Sequence, residues 1–224
     1  EEPWMEITWY GLGCFRIVER SYPAVITDPF DEEASGYTLP RARAEIVTLS
    51  QPLDDPREIS WPRFRGPTRT LASPGEYEIG GLFITAIPSY RDRQKGAERG
   101  ENIIYTFDLG ALTVCHLGEL GHVPSQSRIE GLGTVHVLLI PVGIPDGLTP
   151  SMAAEVISLI EPNIVIPMNY KTPDLRMERH PVSRFLKEMG VTNPETQSNL
   201  KVTAGAIPEE TQIILLEPQK GNGA

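Results

Sequence analysis

The chain has 224 residues, 40% hydrophobic and 22% charged, which is long enough to bury a sizeable core and ordinary for a globular protein. Its formal charge of −10 excludes a general nucleic-acid binder, because neutralising phosphates takes clustered Lys and Arg. The longest apolar runs, such as Val137–Ile140, are far too short for a bilayer, and no basic, apolar, small-residue leader is legible.

Read in order, the first two thirds alternate short β-rich segments with turn chemistry. Strands are expected at Ile7–Tyr10, Cys14–Val18, Ala24–Thr27, Ile46–Ser50, Thr70–Ala72, Leu82–Ile87, Asn102–Phe107 and Leu112–Cys115. Gly11–Gly13 and Ser21–Pro23 punctuate them, and Pro74–Gly81 sets tight turns around one brief strand. From His136 the pattern changes. His136–Ile140 and Asn163–Pro167 are continuous apolar runs, as in strands buried on both faces. Between them Thr149 and Pro150 start a helix, with Met152, Ala153, Val156, Ile157 and Ile160 at helical spacing and Pro162 as the stop. Val182–Met189 reads as a further helix closed by Gly190, and Leu200–Thr203 and Gln212–Leu216 as the last strands. The expectation is layered α/β with mixed sheets: one domain over residues 1–218 and a disordered tail over 219–224.

Function collects on loops that follow strand ends. Five stand out: Gly11–Gly13, Ser50–Pro56, Tyr90–Arg93, Cys115–His122 and Pro167–Thr172. Cys115 and His116 are not a thiol–imidazole pair, because neighbours on a strand point to opposite faces. The two cysteines, Cys14 and Cys115, sit in apolar segments and are expected to be reduced and buried, in a cytoplasmic setting. No Gly-x-Ser-x-Gly elbow occurs, and Gly11-Leu12-Gly13 lacks the third glycine of a dinucleotide fingerprint. Asp28 reads as a turn former, His136 as a hydrogen-bonded structural histidine, and His180 as a surface residue. Arg57, Arg63, Arg65 and Arg69, interleaved with Trp61 and Phe64, read as a solvated loop edge; a partner-binding module on that loop is the alternative.

Six segments in order carry a family resemblance. They are ITWYGLGCFRI (Ile7–Ile17), ITDPF (Ile26–Phe30), PGEYEIGG with FITAIPSY (Pro74–Tyr90), CHLGELGH (Cys115–His122), LLIPVG (Leu138–Gly143) and AAEVISLIEPNIVIPMNYKT (Ala153–Thr172). Together they resemble the metallo-β-lactamase superfamily, in its branch of small metal-dependent hydrolases similar to ascorbate-6-phosphate lactonase. The resemblance implies a four-layer αββα sandwich, two mixed sheets between outer helices, with the centre at one sheet edge. It also implies self-association, and a His-x-His-x-Asp-His run whose imidazoles help hold two metal ions that activate a bridging hydroxide.

Against that pattern this chain departs repeatedly. Gln51 and Leu53 stand at the two leading histidines, Asp55 matches the aspartate, and Pro56 replaces the last histidine. Leu12 stands where Gly-His is usual, Arg91 where His-Asp begins, Glu119 at the bridging aspartate and Asn169 at the final ligand. In relatives the position of Asp28 lies near the site and supports a ligand. Leucine and proline offer no donor atom, and none of the 4 histidines forms a His-x-His pair. The expectation is therefore a protein without a zinc pair or other cofactor, non-catalytic, with a binding or assembly role. Arg91, His116 and Lys171 are expected to line a pocket for a small anion, with Arg91 pairing Asp55 or Glu119 in place of metal. The alternative is a hydrolase of phosphorylated or lactone-like small molecules, using one hard divalent ion on Asp55, Glu119 and Asn169. No nucleic-acid or membrane partner is expected.

Overall fold

The computed structural model describes residues 4–54, 60–66 and 68–221. In chain order the first part holds β1 (Trp4–Gly11), β2 (Cys14–Glu19), β3 (Val25–Thr27), α1 (Glu32–Ser35), β4 (Ala42–Arg43), β5 (Ile46–Thr48), β6 (Phe64–Arg65) and β7 (Arg69–Leu71). The middle holds β8 (Gly75–Ile79), β9 (Leu82–Tyr90), β10 (Glu101–Asp108), β11 (Thr113–His116), α2 (Gln126–Glu130) and β12 (Val137–Pro141). The last part holds α3 (Pro150–Ile160), β13 (Ile164–Met168), α4 (Ser183–Glu188), β14 (Glu195–Gln197), β15 (Leu200–Thr203) and β16 (Gln212–Leu216).

The strongest sequence signals fall where the physics puts them. Thr149 Oγ1 accepts from the Met152 N–H at 3.2 Å to cap α3, and Glu161, left-handed at φ 52°, closes it before Pro162. β12 and β13 are buried along their whole length. β9 runs past Pro88, where the sequence suggests a stop. Its partner β8 is last paired at Ala86, so Pro88 lies on an edge and its missing N–H is tolerated. The one-turn helices α1 and α2, the two-residue pair β4–β6 and the polar edge strand β14 are too short to show a period.

Among the described residues two large mixed sheets form, in the orders β15-β1-β2-β3-β5-β7 and β14-β16-β13-β12-β11-β10-β9-β8. Alternation along β1 sends Met5, Ile7 and Trp9 to the space between the sheets, where they share one core with Tyr105 and Phe107 of β10. Ala153 and Val156 of α3 and Phe185 of α4 extend that core beyond the larger sheet. On the other side Tyr10, Cys14, Ile26 and Val47 pack under Leu39, Ala44 and Phe64. Both cysteines are free and buried. Part of the expected tail is fixed: the Gln219 N–H donates to the Trp9 carbonyl at 2.7 Å and the Gly221 N–H to the Thr38 carbonyl at 2.8 Å. Among the described residues no helix is long and apolar enough to cross a membrane.

Candidate functional site

Pairing directions make β1, β3 and β5 run toward one end of the smaller sheet, and β9, β11 and β13 toward one end of the larger. The residues just past these strands meet around a cavity of about 270 Å³. Leu12 follows β1, Asp28 follows β3, Ser50, Gln51 and Leu53 follow β5, Arg91 follows β9, Glu119 follows β11 and Asn169 follows β13. Three of these hold a left-handed backbone without being glycine: Leu12 at φ 51°, Asp28 at φ 37° and Asn169 at φ 57°. Each such residue costs on the order of 1–3 kcal/mol and persists only where its surroundings dictate it. The Leu12 carbonyl is held by Trp9 Nε1 at 3.0 Å and the Asn169 N–H at 3.2 Å. Asp28 is held through Oδ1, which accepts from the Ser50 N–H at 2.6 Å, and Oδ2, which accepts from Ser50 Oγ at 2.7 Å.

The floor is a buried amide network. Asn102 Nδ2 donates to Ser89 Oγ at 2.7 Å and to the Leu117 carbonyl at 3.0 Å, while Oδ1 accepts from the Glu119 N–H at 2.9 Å. Gly118, at φ +62°, has no room for a side chain: a Cβ there would lie 2.4 Å from Ser50 Oγ. His116 is sealed beneath this floor. Its Nε2–H donates to the Gly13 carbonyl at 2.8 Å and its Nδ1 accepts from the Gly118 N–H at 3.2 Å, which fixes a neutral tautomer. Burial lowers its pKa from the usual 6.5, with Asp28 and the Gly13 carbonyl pulling the other way. Burial raises the Asp28 pKa from its usual 3.8, opposed by His116 and Ser50.

Across the cavity the charges are paired. Arg91 Nε donates to Glu119 Oε2 at 2.8 Å and Arg91 Nη2 bonds the same oxygen, with Arg99 Nη2 at 3.7 Å from it. Both arginines border a loop tied to the Asp92 carboxylate, which accepts the N–H groups of Gln94 (2.8 Å), Gly96 (2.9 Å), Glu98 (3.1 Å) and Arg99 (2.7 Å). Desolvation alone would raise the Asp92 pKa; these donors, Arg99 foremost, bring it below the usual 3.8. Arg179 completes the wall. Its Nη1 donates to the Glu178 carbonyl at 2.8 Å, and its buried Nε has no partner among the described residues. Burial lowers its pKa from the usual 12.5, Glu119 acts against this, and Arg99 and Arg91 add to it.

The fold has close structural company. A Thermotoga maritima protein, assigned to the metallo-β-lactamase superfamily as a Zn-dependent hydrolase, is 30% identical, with a TM-score of 0.75 over 96% of this chain and 100% of that one. A profile of the β-lactamase superfamily domain matches residues 6–169. The chain belongs to the metallo-β-lactamase superfamily. Similar superfamily sequences include a UPF0173 metal-dependent hydrolase of Methanopyrus kandleri, 30% identical over 124 residues, covering 52% of this chain and 54% of that protein. A UPF0173 protein of Pyrococcus abyssi is 25% identical over 194 residues, covering 75% of this chain and 84% of its own length. The match to the M. kandleri relative thus spans about half of that protein.

Of the positions at which this superfamily member departs from the expected metal site, Leu12, Gln51, Leu53, Arg91, Glu119 and Asn169 all line the cavity. Asp55, Pro56 and Arg57 lie outside the described residues. Two members of the expected anion pocket are elsewhere. His116 has no exposed surface and both ring nitrogens are bonded, so it is a structural group. Lys171 Nζ donates to the Leu175 carbonyl and does not reach the lining. A second arginine lines the cavity besides Arg91: Arg179, which sequence reasoning missed, lies ten residues past Asn169, beyond the last recognisable segment. Among the described residues no group of three or more His, Cys, Asp or Glu is placed to hold a metal ion. In the basic loop Arg63 is paired with Glu32 at 3.0 Å, while Arg65 and Arg69 are exposed.

Proposed function

We propose that this superfamily member holds an ion pair where metal-dependent relatives hold metal, and that it binds a small anion rather than hydrolysing with zinc. The observation that carries this reading is the Arg91–Glu119 pair, two guanidinium nitrogens on one carboxylate oxygen at the mouth of the Glu119 loop. A cation placed there would meet a fixed positive charge and a carboxylate already engaged. The rest of the donor chemistry agrees. Leu12 and Leu53 have no donor atom, both nitrogens of His116 are spent, and Asn169 and Gln51 offer only neutral amides. Arg179 and Asn169, which both line the cavity, supply the donors for an anion. Two buried free thiols, their pKa raised by burial, support a cytoplasmic setting as part of the proposal.

The metal-dependent hydrolases among its relatives favour a second reading, a hydrolase; in this chain that reading would put one atypical ion on Asp55, Glu119 and Asn169. Thermal unfolding separates the two. With Zn²⁺, Mn²⁺, Mg²⁺ or Ca²⁺ added after chelator treatment, the proposal expects no saturable rise in Tm. A rise that saturates at one ion per chain, and is abolished by Glu119→Ala, supports the hydrolase instead.

A further inference from the structure

We infer that the chain carries a second binding site, separate from the Glu119 cavity, for a small tetrahedral oxyanion such as phosphate or a phosphoryl head group. A further cavity of about 180 Å³ lies between the Asp92 loop, the segment joining β12 to α3, and the start of α4. Arg93, His180 and Arg184 line it, with Asp146 as an exposed carboxylate at its rim. The same two segments supply both cavities: Arg91 and Arg179 line the first, Arg93 and His180 the second. In the first, Arg91 is engaged by Glu119. In the second, the side chains of Arg93, His180 and Arg184 make no hydrogen bond or ion pair among the described residues.

An unpaired surface arginine is ordinary, but these basic groups converge on one cavity of a chain whose net charge is −10, and the backbone beneath each is fixed. Four N–H groups on the Asp92 carboxylate hold the loop that carries Arg93. The His180 N–H donates to the Gly143 carbonyl at 2.7 Å, and the His180 carbonyl accepts from the Lys171 N–H at 2.9 Å. A Cβ at Gly143 would lie 2.7 Å from that same carbonyl oxygen, so this close approach requires glycine. Arg184 stands in the first turn of α4, its N–H donating to the Pro181 carbonyl at 3.3 Å. Donors on a fixed backbone lose less freedom when a ligand arrives. Because they come from three separate segments, an acceptor with oxygens on several sides fits them better than a planar carboxylate with two. The cavity is smaller than pockets for drug-sized ligands, which suits a compact head group.

Titration of the full ¹⁵N-labelled chain with inorganic phosphate, and separately with acetate, at constant pH and ionic strength tests the assignment by amide chemical shifts. Phosphate is expected to shift the amides of Arg93, Gly147, Leu148 and His180 along one saturating curve, with acetate about tenfold weaker or worse. The double variant Arg93→Gln with Arg184→Gln changes two exposed side chains, so it should keep the wild-type spectrum elsewhere and weaken phosphate by about tenfold or more. Saturation confined to the amides of Gly13, Ser50 and Asn169 would assign phosphate to the Glu119 cavity, overturning the second site while supporting the first. Shifts that never saturate, or an affinity unchanged in the double variant, would reveal an adventitious ion only and overturn the inference. Acetate binding as tightly as phosphate would overturn the tetrahedral assignment. Silence at Gly13, Ser50 and Asn169 beside saturation at the second cavity would count against the anion reading of the first cavity alone.

Discussion

Glu119 stands among three guanidiniums, bonded to Arg91, 3.7 Å from Arg99 and within the electrostatic reach of Arg179. Replacing it with glutamine leaves three positive charges facing one another. Because the Arg91 and Glu119 side chains are each about a quarter exposed, the loss lies between surface and buried ion pairs, about 1–3 kcal/mol in denaturant unfolding. Added anions should restore part of it, whereas a metal-ligand role for Glu119 predicts a loss only in the metal-loaded protein. His116 makes the second prediction. Its folded pKa lies below its unfolded value near 6.5, so the unfolded chain takes the proton first. Stability is full above that pH and declines below it, at up to about 1.4 kcal/mol per pH unit, until the folded pKa is passed. Asp28 has the opposite sign: its raised pKa contributes most below 3.8 and is lost as pH rises through the folded value. Unfolding curves from pH 7 to 5 should show the His116 slope, and His116→Gln should flatten it. At this scale the sequence showed which side chains were unusual, since Leu12, Arg91 and Asn169 replace donors by identity alone. It could not show that His116 faces inward, because strand alternation separates it from Cys115 without saying which face is sealed. Nor did it show the Arg179 contact, which depends on how the segment after β13 folds back.

The elements bring these residues together by direction rather than proximity in sequence. Six strands end at the same rim, and the loops beyond them lock into one another through Ser50, Asn102 and Gly118. Gly118→Ala forces a methyl against Ser50 and Asn102 at a left-handed position, so it should cost about 2 kcal/mol or more in thermal or denaturant unfolding. A near-neutral result would mean the floor is looser than described. The Asp92 loop makes a different prediction. Asp92→Ala removes the acceptor of four backbone N–H groups, so the amides of Gln94, Gly96, Glu98 and Arg99 should exchange roughly tenfold faster or more, with core amides of β10 unchanged. Uniform acceleration would mean that Asp92 is a global support instead. Periodicity made the long elements legible: the buried runs of β12 and β13, the capped α3, and the alternating β1. The pieces that escape it, α1, α2, β4, β6 and β14, are held by tertiary contacts and carry no repeat of their own.

At the scale of the whole molecule, two mixed sheets enclose one core and leave function to the rim where strands of both end. Such a scaffold tolerates exchange of its rim residues, because the packing of Met5, Ile7, Tyr105, Phe107 and Val156 does not depend on what Glu119 contacts. That separation explains why the fold is readable through six modest segments while the chemistry is carried by a handful of substitutions. It also defines the decisive measurement. The chain, expressed with zinc in the medium and purified without chelator, is analysed for metal content by inductively coupled plasma mass spectrometry. The account predicts well below about one zinc per chain, unchanged in Arg91→Ala. One or two tightly held transition-metal ions per chain, lost on substitution of Glu119 or Asn169, would contradict it.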